Sequence, residues 1–173
     1  MIESRALALC FIALAGLLLP GHSPYAQWYA YRAKHLVVVT DGQRPGAMEL
    51  ATTVASAVTA KWPESKAVAA EARSPTEALH LLATGQLQLA LVRSADARDA
   101  MEGRGWFTGQ EKLTLRAIAV MGGDVLVVLP GYPHDRAQTI ARALAESRVL
   151  RPRLSREPAG IPFHPGALEA IAR

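Results

Sequence analysis

The sequence predicts a single α/β domain in which a mostly parallel sheet carries helices on both faces. Strand-like and helix-like segments alternate through the first hundred residues after an N-terminal apolar run, which is typical of parallel strands joined by helical crossovers. The chain has 173 residues, 50% apolar and 20% charged, a composition that indicates one globular core rather than a disordered chain.

The first half of the domain contains three predicted strands and three predicted helices. Residues 35–40 form a β-branched apolar run that ends in a turn, which predicts a buried strand. Apolar residues recur at helical spacing over 46–61. Residues 74–77 (SPTE) predict a capped helix that ends at Gly85. The other elements predicted here are strands at 66–71 and 87–92 and a helix at 94–101.

The second half is predicted to add a hairpin and two more helices. Trp106 and Phe107 lie in a glycine-bounded loop, either as a cover over the core or as an exposed contact. The predicted elements are strands at 113–121 and 125–129, a helix at 135–147, a basic proline-containing loop at 148–158 and a terminal helix at 165–172. We expect that terminal helix to pack back on the sheet formed by the N-terminal half.

Residues 1–26 have the pattern of a secretory signal. Arg5 precedes an apolar run at 6–19, which is too short for an ordinary membrane span, and Ala26 offers a small residue for cleavage. The sequence therefore predicts export to the periplasm. The segment is either removed near Gln27 or retained as a short membrane anchor.

Three segments of the chain carry a family resemblance. They are residues 39–46, which join a strand to a glycine-containing turn, residues 74–94, and residues 162–167 (PFHPGA). The three segments follow a secretory signal, and in this order they resemble the TAXI-type solute-binding proteins of TRAP transporters. The resemblance implies a periplasmic-binding-protein-like lobe at 35–173. Only one of the family's two lobes is expected, because residues 130–134 stand where the family inserts the other.

The resemblance implies that the chain binds a small organic solute, often an acidic one, and catalyses no reaction. With one lobe, binding is expected to be weak or to need a partner, such as TRAP membrane subunits, another periplasmic protein or a second copy of the chain. The turn at 43–48 lacks the tyrosines usual in the family, and Arg73 replaces a glycine. The missing tyrosines and the missing second lobe favour the alternative, a non-catalytic interaction module that docks another periplasmic protein, whereas the intact cleft-facing amides favour solute binding.

The resemblance places the binding residues at the carboxyl edge of the sheet. Helix N-termini and turn amides at such an edge attract carboxylates and phosphates, and an arginine adds a charge-assisted pair. Ser74 and Glu77 have an alternative role as a helix cap, and Arg93 could instead be solvated or paired with an acidic side chain. The predicted ligand-binding residues are Thr40, Gly42, Ser74, Glu77, Arg93 and Ser94.

Other functional classes find little support in the sequence. It contains no nucleophile elbow, phosphate loop or paired histidine motif, so we expect no enzyme activity, cofactor or metal site. The single cysteine, Cys10, lies in the signal segment, and His164 is predicted to be a packed structural histidine between two prolines. The arginines of loop 148–158 could touch phosphates or anionic lipid headgroups. They have no interleaved aromatics, so nucleic acid is not an expected partner.

Overall fold

The computed structural model describes residues 24–171, and its two compact units divide after Lys34. The apolar run of the predicted signal, together with Cys10, lies outside the described residues. What is described of the first unit is helix α1 (Pro24–Lys34), which the sequence did not predict and which contains the expected cleavage position. No helix within residues 24–171 has the length and apolar character needed to cross a bilayer.

The second unit begins at His35 and carries a six-stranded sheet. Its elements are β1 (Val37–Asp41), α2 (Ala47–Lys61), β2 (Val68–Ala72), α3 (Pro75–Ala83), β3 (Leu89–Arg93), α4 (Ser94–Glu102), β4 (Arg116–Met121), β5 (Asp124–Val128), α5 (His134–Glu146), β6 (Leu154–Ser155) and α6 (Pro165–Ile171), with short 3₁₀ turns at Pro63–Ser65, Gly105–Phe107 and Arg151–Arg153.

The strand order is β2-β1-β3-β5-β4-β6. β1 pairs in parallel with β2 and β3, whereas β5 runs antiparallel to both β3 and β4, and β6 runs antiparallel to β4. β4 therefore points in the same direction as β1, and four of the six strands share one direction. The predicted α/β class is confirmed, with a mixed sheet that is parallel in its N-terminal half.

The strands bury alternate side chains on the two faces of the sheet because successive residues of a strand point in opposite directions. Val38 and Leu91 belong to the core under α2, α5 and α6, whereas Val39 and Val92 belong to the core under α3 and α4. Each fully buried side chain of this size stabilises the fold by about 1.5–3 kcal/mol. The predicted placement of helices on both faces is therefore confirmed.

The segment that leads into α6 runs beside the first half of β4. The amide of Ala117 donates to the carbonyl oxygen of Pro162 at 2.9 Å, and the amide of His164 donates back to the Ala117 carbonyl at 2.8 Å. The pairing register of β4 with β5 shifts between Ala117 and Ala119. The tail packs back on the domain as expected, but it packs chiefly on β4 and α5 rather than on the strands of the N-terminal half.

His164 is buried and fixes this tail from within. Its Nδ1 accepts a hydrogen bond from the Gly166 amide at 3.2 Å, so Nε2 carries the proton and donates to the carbonyl oxygen of Tyr132 at 2.9 Å. The prediction of a packed, hydrogen-bonded histidine is confirmed.

One local feature divides between the two alternatives that the sequence left open, and two others differ from the prediction. Of the aromatic pair in the glycine-bounded loop, Phe107 covers the core at 4% exposure, but the Trp106 side chain is 80% exposed. The strand expected from residue 113 begins at Arg116. The basic loop 148–158 contains the strand β6. With only two residues, this strand is too short to show an alternating pattern of apolar residues in the sequence.

Candidate functional site

All six predicted ligand-binding residues lie at one edge of the sheet, which we call the carboxyl edge. Parallel strands end on the same side of a sheet, so the segments that follow β1, β2 and β3 emerge together. Thr40 and Gly42 lie at the end of β1, and Arg93 and Ser94 lie where β3 meets α4. The topology thus supports the expected grouping, and the hydrogen bonds decide which groups are free to meet a solute.

The polar groups of Thr40 and Gly42 are already used within the fold. The buried Thr40 hydroxyl donates to the Leu91 carbonyl oxygen at 2.8 Å and so ties β1 to β3. The Gly42 amide donates to the Ala72 carbonyl oxygen at 2.9 Å. A Cβ at Gly42 would lie 3.0 Å from the Cβ of Glu71, which favours glycine at this turn. Both residues shape the edge and present no free donor.

Ser74 and Glu77 form a helix cap, the alternative role considered for them. The Glu77 amide donates to Ser74 Oγ at 3.1 Å, which satisfies one free donor at the start of α3. The Glu77 carboxylate accepts from the Arg73 amide at 2.6 Å and from Arg73 Nη2 at 2.7 Å. These hydrogen bonds from Arg73 hold the pKa of Glu77 below its usual range. Arg73 therefore engages the Glu77 carboxylate through both its backbone amide and its guanidinium group.

Arg93 forms a bidentate ion pair with Asp96 in the first turn of α4. Its Nε lies 2.8 Å from Asp96 Oδ2, and its Nη2 lies 3.0 Å from Oδ1. These hydrogen bonds raise the pKa of Arg93, and the charges of Asp41 and Asp124 add to the effect. Arg93 is thus neither solvated alone nor free to bind an anion without competition from Asp96.

Ser94 is the predicted site residue whose side chain remains unused. Its amide donates to the Gly123 carbonyl oxygen at 2.8 Å, which joins α4 to the turn between β4 and β5. Its hydroxyl oxygen is buried, and no residue of the described chain hydrogen bonds to it. Buried polar atoms almost always have a hydrogen-bond partner, so this hydroxyl is an unusual feature of the edge.

Four charged residues of the edge were not among the predicted site residues: Asp41, Arg44, Asp96 and Asp124. Arg44, in the turn after β1, pairs with Asp124 at the start of β5; Nη2 and Oδ1 are 2.8 Å apart. The better-aligned hydrogen bond between these two residues runs from Arg44 Nη1 to Asp124 Oδ2 at 3.3 Å. The buried Nε of Arg44 has no hydrogen-bond partner within residues 24–171. The sequence offered a weak signal, an acidic residue after a Gly-Gly turn, but nothing in it placed β5 beside β3.

The inner part of the carboxyl edge, which we call the edge cluster, has more carboxylates than guanidinium groups. The register places Arg93 opposite Asp124, and Asp41 accepts a hydrogen bond from the Gln43 amide at 3.0 Å. An acidic solute therefore finds no surplus positive charge there. The cluster consists of Asp41, Arg44, Arg93, Asp96 and Asp124.

Open clefts of about 620 and about 690 Å³ lie elsewhere in the described domain, and none of the six predicted residues lines either of these two. Among residues 24–171, no three His, Cys, Asp or Glu side chains come close enough to hold a metal ion together. A scan against protein-family models found no match to this chain, and no curated protein shows significant similarity to it. The TAXI resemblance and the function it implies therefore remain predictions.

Proposed function

We propose that this chain is the single lobe of an exported, TAXI-like solute-binding protein, which holds a small organic solute at its carboxyl edge and catalyses no reaction. The observation that supports this most is the pair of buried, unsatisfied polar atoms there, Ser94 Oγ and Arg44 Nε. Leaving such atoms unpaired costs about 1–3 kcal/mol each. Both atoms are inaccessible to solvent, so an occupant must displace the turns around them before it accepts a hydrogen bond from Arg44 Nε and exchanges one with Ser94, and these hydrogen bonds offset that cost.

The charges of the edge favour a zwitterionic solute over a dicarboxylate. The carboxylates of Asp41 and Asp124 attract an ammonium group, and the first-turn amides of α4 attract a carboxylate. An amino acid carries both groups, whereas a dicarboxylate adds two negative charges to a cluster that already has a surplus of them. The family resemblance points to acidic solutes, and this charge balance narrows the proposal to amino acids.

Binding by the isolated lobe is proposed to be weak because the edge supplies one wall of a site. Pockets for small molecules usually bury most of the ligand surface, and one wall leaves water in contact with the solute. A dissociation constant of about 1 mM, or about −4 kcal/mol, is the expected scale. A TRAP membrane subunit, another periplasmic protein or a second copy of the chain would supply the second wall.

Calorimetric titration of the full-length protein with amino acids and dicarboxylates tests this function. Ser94→Ala should weaken amino-acid binding about fivefold, the loss of about one hydrogen bond. Tyr132→Phe is the matched control, because it also removes a buried hydroxyl that has no hydrogen-bond partner in the described part of the chain, but at a residue outside the carboxyl edge. Equal effects of the two substitutions, or sub-micromolar binding by the wild type, would contradict the proposal.

The second candidate function is a docking module for another exported protein, and one observation favours it. Trp106 exposes 80% of its surface next to the buried Phe107. Tryptophan is enriched at the centres of protein interfaces, where a large apolar ring with one polar atom finds a pocket. Under this alternative, Trp106→Ala abolishes partner binding in a periplasmic extract and leaves amino-acid binding unchanged. Under the first proposal, Trp106→Ala changes neither.

A further inference from the structure

A basic cleft lies on the face of the sheet covered by α2, α5 and α6, and its volume is about 620 Å³. This size lies within the range of small-molecule sites. The apolar part of its lining, which we call the floor, includes Leu154 of β6 and Ala170 and Ile171 of α6. The cleft stays open beside β4 because β6 is only two residues long and covers little of that strand.

Three arginines line the basic cleft, and none of them is neutralised within the described chain. Arg142 projects from α5, and Arg151 and Arg156 come from the loop around β6. No guanidinium group among these three forms a hydrogen bond or an ion pair with any of residues 24–171. The other charged groups in the lining, Lys61 and Glu146, pair with each other at 2.8 Å. The lining therefore carries a net charge of +3.

The backbone does not cancel this charge. The cleft lies beside the C-terminal ends of α2 and α5, and each helix end carries a partial charge of about −0.5. The amide of Ser147 already donates to the Ala143 and Leu144 carbonyl oxygens, which reduces the exposed negative end of α5. Three guanidinium groups against about one opposing charge leave a strongly positive concavity.

We propose that the basic cleft binds a phosphate monoester whose organic part is small and apolar. Guanidinium groups pair with phosphate oxygens through two parallel hydrogen bonds, and three such groups suit a dianion that has three free oxygens. The apolar floor contacts the organic part and excludes water from it. This site shares no residue with the carboxyl edge, so it is independent of the proposed solute site.

The phosphate group could belong to a soluble ester or to a phospholipid headgroup, and the test separates these sources. Full-length protein is titrated calorimetrically with phenyl phosphate, with inorganic phosphate, and with vesicles containing phosphatidic acid. Phenyl phosphate should bind about tenfold more tightly than inorganic phosphate, because only the ester contacts the floor. Binding to the vesicles without binding to phenyl phosphate would overturn the proposal, as would equal affinity for the two soluble probes.

The loop supplies a matched pair of variants. Arg151→Met with Arg156→Met removes two charges from the lining, whereas Arg148→Met with Arg153→Met removes two charges from the same loop outside the lining. The first double variant should lose about tenfold or more in phenyl phosphate affinity, and the second should stay within about twofold. Equal losses would assign the binding to diffuse surface charge and overturn the site.

Discussion

The carboxyl edge and the basic cleft use their arginines in opposite ways. At the edge, Arg44 and Arg93 each contact a carboxylate within 3 Å, so their charges organise the turns around the strand ends. In the cleft, Arg151 and Arg156 have no acidic partner within the described chain, so their charges remain available. The place of a residue in the sheet therefore predicts whether a solute can approach it. Whether an arginine there attracts an anion depends instead on whether a carboxylate already neutralises it.

The largest expected effect comes from disturbing the tail that helps to build the cleft. A Cβ on Gly166 would overlap the carbonyl oxygen of His134 and lie 3.1 Å from the carbonyl carbon, in backbone that cannot rotate away. Gly166→Ala should destabilise the fold by about 1–3 kcal/mol and displace α6. Urea unfolding and phenyl phosphate titration measure both effects.

Gly131→Ala is the control for that substitution, because a Cβ there has no neighbouring atom within 4 Å. It should change stability by less than about 0.5 kcal/mol. If Gly166→Ala is equally mild, α6 does not pack as closely on α5 as described, and the shape of the cleft is in question.

The second prediction compares the ion pairs of the two regions. The Arg44–Asp124 pair is half-buried, with side-chain exposures of 22% and 14%, whereas the side chains of Lys61 and Glu146 are exposed by 44% and 58%. A double-mutant cycle to alanine should give a coupling energy of about 1–2 kcal/mol for the edge pair and about 0–0.5 kcal/mol for the cleft pair. Equal coupling energies would remove the distinction between an organised edge and a loose cleft.

The third prediction compares two buried hydroxyls that have no hydrogen-bond partner among residues 24–171, those of Ser94 and Tyr132. Tyr132→Phe should stabilise the fold by up to about 1 kcal/mol at neutral pH, because an unsatisfied buried group is removed. Burial raises the pKa of Tyr132 to about 12. A raised pKa gives stability that is complete below the unfolded value of about 10 and is lost as the pH rises towards 12.

The wild type should therefore lose stability over that alkaline range, while Tyr132→Phe should lose less. Ser94→Ala should retain the alkaline loss, because it leaves Tyr132 in place. Thermal unfolding followed by circular dichroism between about pH 9 and 12 measures this. An identical alkaline profile for wild type and Tyr132→Phe would show that the Tyr132 hydroxyl is not buried as described.

The smallest expected effect concerns the cap of α3. The Arg73 hydrogen bonds hold the pKa of Glu77 below its usual range, so Arg73→Ala should move that pKa upward. A lowered pKa contributes stability that is present above the unfolded value and is lost as the pH falls through the folded one. The variant should therefore be less sensitive to acid than the wild type. NMR titration of the Glu77 carboxyl checks this, with Arg98→Ala as the control that leaves the pKa unchanged.

Local patterns predicted most of the elements but not their arrangement in the C-terminal half. The capping bond between Ser74 and Glu77 and the bond from the Gly166 amide to His164 Nδ1 join residues within three positions of each other, so these local roles could be predicted. The bond from His164 to Tyr132 spans 32 positions and could not be predicted from a local pattern. The insertion of β5 between β3 and β4 depends on long-range pairing that no local periodicity reports. Helix α1 was missed because its residues were assigned to the signal and its flank.

The candidate site, like the fold, could be predicted only in part from the sequence. Parallel strand order sufficed to bring Thr40 and Ser94 to one edge. Whether each polar group there is free depends on partners that are distant in sequence, such as Leu91 for Thr40 and Asp124 for Arg44. The unpaired arginines of the basic cleft were visible in the sequence as a basic loop, but their convergence with Arg142 of α5 was not.

The central claim, that the chain is a one-walled solute-binding lobe with a separate anion cleft, is tested most directly by mapping amide chemical shifts with two ligands. Titration of full-length protein with an amino acid should shift the amides of residues 94–96 and 123–124, and saturate at about millimolar concentrations. Phenyl phosphate should instead shift the amides of residues 151 and 153–156. Shifts of one common set by both ligands, or no response of residues 94–96 to any amino acid, would contradict the claim.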